Sequence, residues 1–502
     1  MRSACLAFFA ATVTGLFLTP VVRAVASRRG ALDDRLSARK IHGKPVPRLG
    51  GIAIVLACVV PLAMIAALGD EVRWGLESGW QALAFLAGGL AIAALGIFDD
   101  LRGATARSKF TVQIAVAAGM YGLGFGIDEI ATPFGEPIEL GILGLPITVL
   151  WISGVINALN LVDGLDGLAG GVAFLALAVI FAVAASRGDA PAMLLTAAVA
   201  GGVLGFLFYN FNPASIFMGD TGSMFLGFVL ATTALRVNRV SSSAVALLVP
   251  IVLLGVPIAD TLLAIARRTL RGAPLFSADR GHIHHRLLDR GLTQGRAVVV
   301  IYGACALLGA AALVLVAATP ARSALTLGAV ALAALLALRW LGYLDLKIQD
   351  LPRLIDERRR NVERRAMVRR LGLELHGARS VRDLWSAVSA AARGLGACTV
   401  ELHLSGAGAA FRSLACGDLA TPGLFRARFG LPCGRPGCAD LELGWDDGRT
   451  SVDPEEALLL ELLSVELARA VSRLGMLTGS PLEKRGSRAL GPLHRRAVAP
   501  AR

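Results

Sequence analysis

A chain of 502 residues that is 55% hydrophobic and only 17% charged is too apolar for an ordinary water-soluble protein, and reads as a polytopic membrane protein with an appendage. Its formal charge of +13 would suit a nucleic-acid binder, but most of the excess lies in loops beside apolar runs and in residues 484–502. Anionic lipid headgroups and phosphorylated substrates account for that placement, so nucleic acid is excluded as a partner. The seven cysteines are scattered and predict reduced thiols.

In chain order, apolar runs fall near 3–22, 49–68, 80–98, 110–127, 140–158, 169–186, 191–209, 223–235, 244–266, 297–318 and 322–342. Most reach the roughly 20 residues a helix needs to cross hydrocarbon, which predicts about eleven transmembrane helices, with 223–235 the shortest. The first run follows Arg2 as a signal peptide would, but it lacks a small-x-small cleavage site and counts as a span. The loop 23–48 carries Arg23, Arg28, Arg29, Arg35, Arg39, Lys40, Lys44 and Arg48, which makes it cytoplasmic by the positive-inside rule and turns the N-terminus outward. Alternation then puts 99–109, 159–168, 210–222, 267–296 and everything after 343 on the cytoplasmic side.

Past residue 346 the hydrophobic character stops. Residues 347–375 include RLIDERRRNVERRAMVRR and predict a charged helical linker along the membrane surface. Residues 376–477 predict a small soluble α+β domain. Ser380 and Asp383 open a helix as a capping box, alternating runs at 397–404, 410–415, 424–429 and 439–445 read as antiparallel strands, and Asp453-Pro454-Glu455-Glu456 opens a last helix. That order is similar to the GAF-type ligand-binding fold. The tail 478–502 is basic and predicts disorder.

The residues that could carry chemistry gather on one predicted side. Asp99, Asp100, Asp163, Asp166 and Asp220 stand at the ends of apolar segments, where a carboxylate near hydrocarbon costs up to roughly 2.5–3.5 kcal/mol at a helix centre and so calls for a ligand. Asp163 and Asp166 are three apart and would share one side of a helical turn, with glycines between and after them that admit a bulky anion, and with Asn157 and Asn160 just before. His282, His284 and His285 form a cluster suited to phosphate or sugar contacts, while the loop 39–51 sets Lys40, His42 and Arg48 beside the entry of a span. Each segment alone has a plainer reading, as a turn, a helix cap or positive-inside charge. Together a carboxylate-rich surface next to phosphates favours Mg²⁺, with Mn²⁺ as the alternative ion.

Taken in order, RKIHGKPVPRLGG, GIFDD, NALNLVDGLDGLAGG, FNPASIFMGDTGS and DRGHIHHRLLDRGLT strongly resemble the polyprenyl-phosphate N-acetylhexosamine-1-phosphate transferases of glycosyltransferase family 4, over residues 1–346. The resemblance implies transfer of a UDP-activated amino sugar 1-phosphate to undecaprenyl phosphate at the cytoplasmic face of the bacterial inner membrane, with release of UMP. It implies Asp220 as the principal Mg²⁺ ligand with Asp100 beside it, and Asp99 and Asp100 to position or deprotonate the lipid phosphate. Asn160, Asp163 and Asp166 would bind nucleotide and help order the metal, and His282, His284 and His285 with Arg267 or Arg268 would hold the diphosphate and sugar. Asp99, Asp100, Asp163, Asp166 and His282 would be the catalytic residues, with Asn157, Lys40, His42 and Arg48 as further substrate contacts. HIHH after DRG resembles the GlcNAc-1-phosphate branch of envelope polysaccharide synthesis, with the phospho-MurNAc-pentapeptide branch the first alternative and a catalytically inactive membrane sensor the second. A homodimer is compatible with this reading. The first loop departs from the family pattern, since Asp34 is followed by Arg35-Leu36-Ser37.

Overall fold

The computed structural model describes residues 1–30, 46–68, 79–130, 138–239, 248–272, 281–343, 351–404, 409–414, 425–431, 439–448, 452 and 454–473. The predicted 478–502 tail lies outside them. The chain divides into two compact units, Met1–Ile265 with Ala278–Asp345, and Ala266–Ser277 with Leu346–Arg502.

The first unit is helical. Its helices are α1 (Arg2–Arg28), α2 (Gly50–Leu68), α3 (Gly79–Arg102), α4 (Ala106–Gly122), α5 (Gly144–Val162), α6 (Leu168–Arg187), α7 (Ala190–Asn210), α8 (Gly219–Arg239), α9 (Leu248–Leu253), α10 (Gly255–Leu270), α11 (Ile283–Asp289), α12 (Gln294–Val316) and α13 (Pro320–Trp340). The strands β1 (Glu129–Ile130) and β2 (Ile138–Glu139) pair antiparallel between α4 and α5. Among the described residues seven helices are long and apolar enough to cross a membrane, which makes the chain a multi-pass membrane protein.

Two of the predicted spans differ from expectation. The run 244–266 is divided into α9 and α10 at Leu254, because Pro257 has no N–H to give the Leu253 carbonyl and its ring crowds that carbonyl. The short run 223–235 extends into the 21-residue α8, whose polar residues masked its length. Thr232 and Thr233 are buried but return their hydroxyls to the Phe228 and Val229 carbonyls at 2.7 and 2.6 Å, so they sit in an apolar helix with no orphaned donor.

Helix α8 occupies the middle of this unit, packing against α2, α3, α5, α6 and α7 and burying Phe225, Leu226, Phe228, Val229, Leu230 and Ala231. Bare backbones make that density achievable. A Cβ on Gly51 would stand 2.1 Å from the Gly222 nitrogen, one on Gly96 2.4 Å from Thr221 Cα, and one on Gly227 2.6 Å from Ile156 Cα. Small residues at helix crossings let main chains touch where no hydrophobic drive separates helix from lipid.

In the second unit α14 (Leu351–Gly377) and α15 (Val381–Gly394) precede four strands, and α16 (Pro454–Arg473) follows them. The strands β3 (Thr399–Leu404), β4 (Ala409–Leu414), β5 (Phe425–Gly430) and β6 (Ala439–Trp445) form an antiparallel sheet in the order β4-β3-β6-β5. Alternation puts Val400, Leu402, Leu441, Leu443 and Trp445 in one core with Leu384 and Val388 of α15 and Leu460, Leu463 and Leu467 of α16. The capping box at Ser380 and Asp383 is formed. Leu371 and Leu375 of α14 are buried in the same core, so the packed part of this unit begins before residue 376. Cys5, Cys58 and Cys305 are free thiols as expected, whereas Cys398 is disulfide-bonded, against the expectation of reduced thiols throughout.

The α3–α8 crossing is expected to tolerate no side chain at residue 96. Gly96→Leu should lower the thermal unfolding midpoint of the detergent-purified protein, with an overpacking cost of at least about 1–3 kcal/mol. Gly119→Ala, where a Cβ meets open space, should leave the midpoint in place.

Candidate active site

The loop joining α3 to α4 is set by Gly103, in the left-handed region at φ +74, whose N–H donates to the Asp99 carbonyl at 2.8 Å. Thr105 then caps α4 by accepting from the Ser108 N–H. This brings Lys109, in the first turn of α4, back over the end of α3. Its ammonium pairs with both Asp99 and Asp220, and Asp99 also accepts from the Ala104 N–H.

Asp220 opens α8 behind Gly219, whose φ of +71 and surroundings exclude a side chain: a Cβ there would lie 2.3 Å from the Arg48 carbonyl oxygen and 2.6 Å from an Asp100 oxygen. Asp100 is committed to holding that helix start. It accepts from the Asp220 N–H at 2.9 Å, the Thr221 N–H at 3.0 Å and the Thr221 hydroxyl at 2.7 Å, acting as an N-cap supplied by another helix. The segment 47–51 closes the other side, with Phe217 N–H donating to the Pro47 carbonyl, and Gly50 and Gly51 N–H donating to the Phe217 and Met218 carbonyls.

Around Asp220 stand the polar residues of α5. Asn160 donates to Ser223 Oγ at 3.0 Å and also hydrogen-bonds Asp220, while Asn157 is tied at 2.7 Å to Gln113, a buried residue of α4. Asp163, the C-cap of α5, completes the acidic group. Burial pushes its carboxyl up to about 8, the charges of Asp220, Asp100 and Asp166 push the same way, and Arg48 opposes them.

Asp166 acts on Asp163 through its charge but does not share a helical face with it. Residues 163–167 are a turn between α5 and α6, so the helical spacing expected of the pair does not apply. Asp166 is buried and accepts from the Asn212 side chain at 2.9 Å and the Ala214 N–H at 3.0 Å, which pins the 211–216 turn. Asn210 works beside it, accepting from Gly167 N–H and donating to the Ile216 carbonyl.

His282 is the N-cap residue of α11, with its Nδ1 2.8 Å from Asp260 on α10. Its ring stacks parallel to His284, centroids 5.8 Å apart, and His284 lies against Gly164, where a Cβ would come within 2.6 Å of Nε2. The histidine row therefore borders the 163–167 turn. Burial, with His285 adding to it, pushes His284 down to about 4 and keeps it neutral. The end of α13 grips the same segment: Arg290 lies over Trp340, Arg286 over Tyr343, and the Tyr343 hydroxyl donates to the Gly281 carbonyl at 2.6 Å.

The structure thus brings together Asp99, Asp100, Asp163, Asp220 and Asn160, and sets the histidines against the 163–167 turn. Arg267 and Arg268 occupy the last turn of α10, a helix whose residues from Ala266 onward belong to the second unit, and Lys40 and His42 lie outside the described residues. Lys109, Gln113, Asn210 and Asp260 went unread in the sequence. Asp260 is a carboxylate inside the apolar run 244–266, which is itself a signal of function.

Among the described residues no group of three or more His, Cys, Asp or Glu side chains is gathered to hold a metal unaided. The donor set nevertheless suits a hard divalent cation, which takes one or two carboxylates and completes its shell with water and phosphate oxygens. The crowding of acids that raises Asp163 is what such a charge relieves.

A profile described as glycosyl transferase family 4 matches residues 82–238. The chain is 42% identical over 297 residues to a probable undecaprenyl-phosphate N-acetylglucosaminyl 1-phosphate transferase of Bacillus subtilis, covering 59% of this chain and 80% of that protein. It is 37% identical over 328 residues to the decaprenyl-phosphate N-acetylglucosaminephosphotransferase of Mycolicibacterium smegmatis, covering 60% and 79%. A phospho-N-acetylmuramoyl-pentapeptide-transferase of Heliobacterium modesticaldum is 34% identical over 307 residues, covering 57% and 90%.

The Lys109 bridge carries a stability expectation. Lys109→Met should lower the thermal midpoint by leaving Asp99 and Asp220 facing each other without the cation, and adding Asp220→Asn should recover part of the loss. An unchanged midpoint in the single variant would mean that the ammonium contributes no net attraction.

Proposed function

Since the chain belongs to glycosyl transferase family 4, we propose that it transfers N-acetylhexosamine 1-phosphate, GlcNAc-1-phosphate foremost, from its UDP-sugar to undecaprenyl phosphate with release of UMP. The observation that carries this reading is the juncture of Asp99, Lys109 and Asp220 between α3, α4 and α8, with Asp163 and Asn160 beside it. The relatives at 42% and 37% identity are named for GlcNAc phosphate transfer, and a muramoyl-pentapeptide relative follows at 34%, which favours the GlcNAc reading over the MurNAc-pentapeptide alternative.

The reaction sets one phosphate against another. An oxygen of the lipid phosphate forms a bond to the sugar-bearing phosphorus of the UDP-sugar while the bond from that phosphorus to UMP breaks. Anionic repulsion is the main obstacle, so positioning and opposing charge dominate catalysis. Lys109 and Arg48 bring cationic charge to the acidic group, Asp99 positions the acceptor phosphate, and Asn160 with Asp163 orders the nucleotide side. His282, His284 and His285 address the diphosphate and sugar from beside the 163–167 turn. Asp100 serves this arrangement by fixing the backbone that carries Asp220. Asp220 and Asp163 would hold Mg²⁺, or Mn²⁺ in its place, which when bound supplies charge neutralisation at the phosphate oxygens. Direct attack is favoured because it needs no aspartyl intermediate.

In the full reading the chain crosses the bacterial inner membrane about eleven times, with the N-terminus outward and the site and C-terminus cytoplasmic, opening the synthesis of an envelope glycan. The C-terminal GAF-like domain regulates or recruits. Purified protein is expected to release UMP from UDP-GlcNAc only with undecaprenyl phosphate and Mg²⁺; release from UDP-MurNAc-pentapeptide instead would move it to the alternative branch. Asp220→Asn keeps the shape and removes the charge, and should abolish that release while the protein still inserts. Near-normal turnover of this variant at saturating Mg²⁺ would refute the ligand assignment. Truncation after Asp350 should leave turnover in place in correctly inserted protein, and complete loss would show that the C-terminal region completes the site.

A further inference from the structure

Asp260 stands inside α10 and is 1% exposed, deeper than any of the five aspartates picked out from the sequence. An acid so placed is expensive unless both oxygens are satisfied. Here they are divided between two donors on one short segment. Oδ1 accepts from the Ile283 backbone N–H at 2.8 Å, and Oδ2 lies 2.8 Å from Nδ1 of His282, which is itself buried. The first bond anchors the start of α11, and the second sets the chemistry of the ring.

A carboxylate can only accept, so Nδ1 of His282 carries the proton toward Asp260. A neutral imidazole protonated at Nδ1 keeps its lone pair on Nε2. We infer that Asp260 is a positioning residue for the phosphosugar site: it locks His282 in the Nδ1–H tautomer, so that Nε2 meets the sugar's hydroxyl or amide hydrogens as an acceptor. This rests on the phosphosugar-transfer reading for the identity of the ligand, while the tautomer follows from the Asp260 contacts alone. An ionised partner on the far nitrogen is the usual means of fixing which imidazole nitrogen works.

Asp260→Asn separates anchoring from tautomer control. The amide oxygen still accepts from the Ile283 N–H, but the amide NH₂ now donates to Nδ1, which forces the proton onto Nε2 and turns an acceptor into a donor. The full chain, labelled with ¹⁵N-histidine and purified in detergent, reports this directly, with the His282 signals assigned by their loss in His282→Gln. The expected result is an Nδ1–H ring in the native protein and an Nε2–H ring in Asp260→Asn. UMP release should fall by about 10- to 100-fold in kcat with KM little changed, and the double variant Asp260→Asn/His282→Gln should be no slower than His282→Gln alone.

The same tautomer in both proteins would overturn the inference, as would a tautomer swap that leaves kcat unchanged or a double variant slower than His282→Gln. The spectroscopic measurement needs no substrate. Absence of UMP release from the native protein would refute the functional reading, and the ring signals would still decide whether Asp260 sets the tautomer.

Discussion

The arrangement of the site depends on Asp100 capping a helix to which it does not belong. Helix α8 starts among backbones, with Gly51 and Gly96 against its first turn, so it has no room for a capping side chain of its own. The first backbone N–H groups of any helix lack an internal partner, and a buried donor left alone costs about 1–3 kcal/mol. Asp100 satisfies two of them and a hydroxyl at once. Against a total stability of about 5–15 kcal/mol for an ordinary domain, losing that set would be felt throughout α8. Asp220 takes its position from this cap, because its own N–H is one of the bonds.

Adjacent carboxylates consequently do different work. Asp99 and Asp100 are successive residues of α3, about 100° apart around its axis, so they reach different parts of the α8 start. Asp100 turns to α8 and Asp99 turns to Lys109. Lys109 in turn holds Asp99 and Asp220 near each other, although like charges there would separate them. A cation among three acids is a local solution for the free protein, and it leaves Asp163 without a comparable partner. The same crowding of acids pushes the Asp163 carboxyl up, and it is the kind of crowding that a nearby cation would relieve.

Much of this was legible in the sequence because charge in an apolar run is costly and therefore informative. The apolar runs, the ends where Asp99, Asp163 and Asp220 stand, and the strand alternation at 397–404 and 439–445 follow from hydropathy and period alone. Three-dimensional pairing was not legible. Spacing suggested that Asp163 and Asp166 share one side of a helical turn, but residues 163–167 are not helical, and Asp166 also accepts from the 211–216 turn. Lys109 went unread because nothing local shows that Gly103 and Thr105 fold it back over α3. Pro257 gave a visible reason for the break in the run 244–266, yet period alone kept that run whole.

The histidine segment shows why such a site is assembled from distant elements. A short helix like α11 has little stability of its own, since nucleation costs more than one or two turns return. It is held instead from three directions: by Asp260 of α10 at His282 and Ile283, by Gly164 against His284, and by Trp340 and Tyr343 at the end of α13. The supports come from α10, from the turn between α5 and α6 and from the end of α13, so the rings stay fixed only while those elements keep their mutual packing. Electrostatic work on a phosphate needs donors and acceptors placed before the substrate arrives, because reorganising them during reaction would return the gain to the solvent. The cap on α8 and the supports on α11 hold their groups in this way, and Asp166 ties the 163–167 turn to the 211–216 segment that precedes α8.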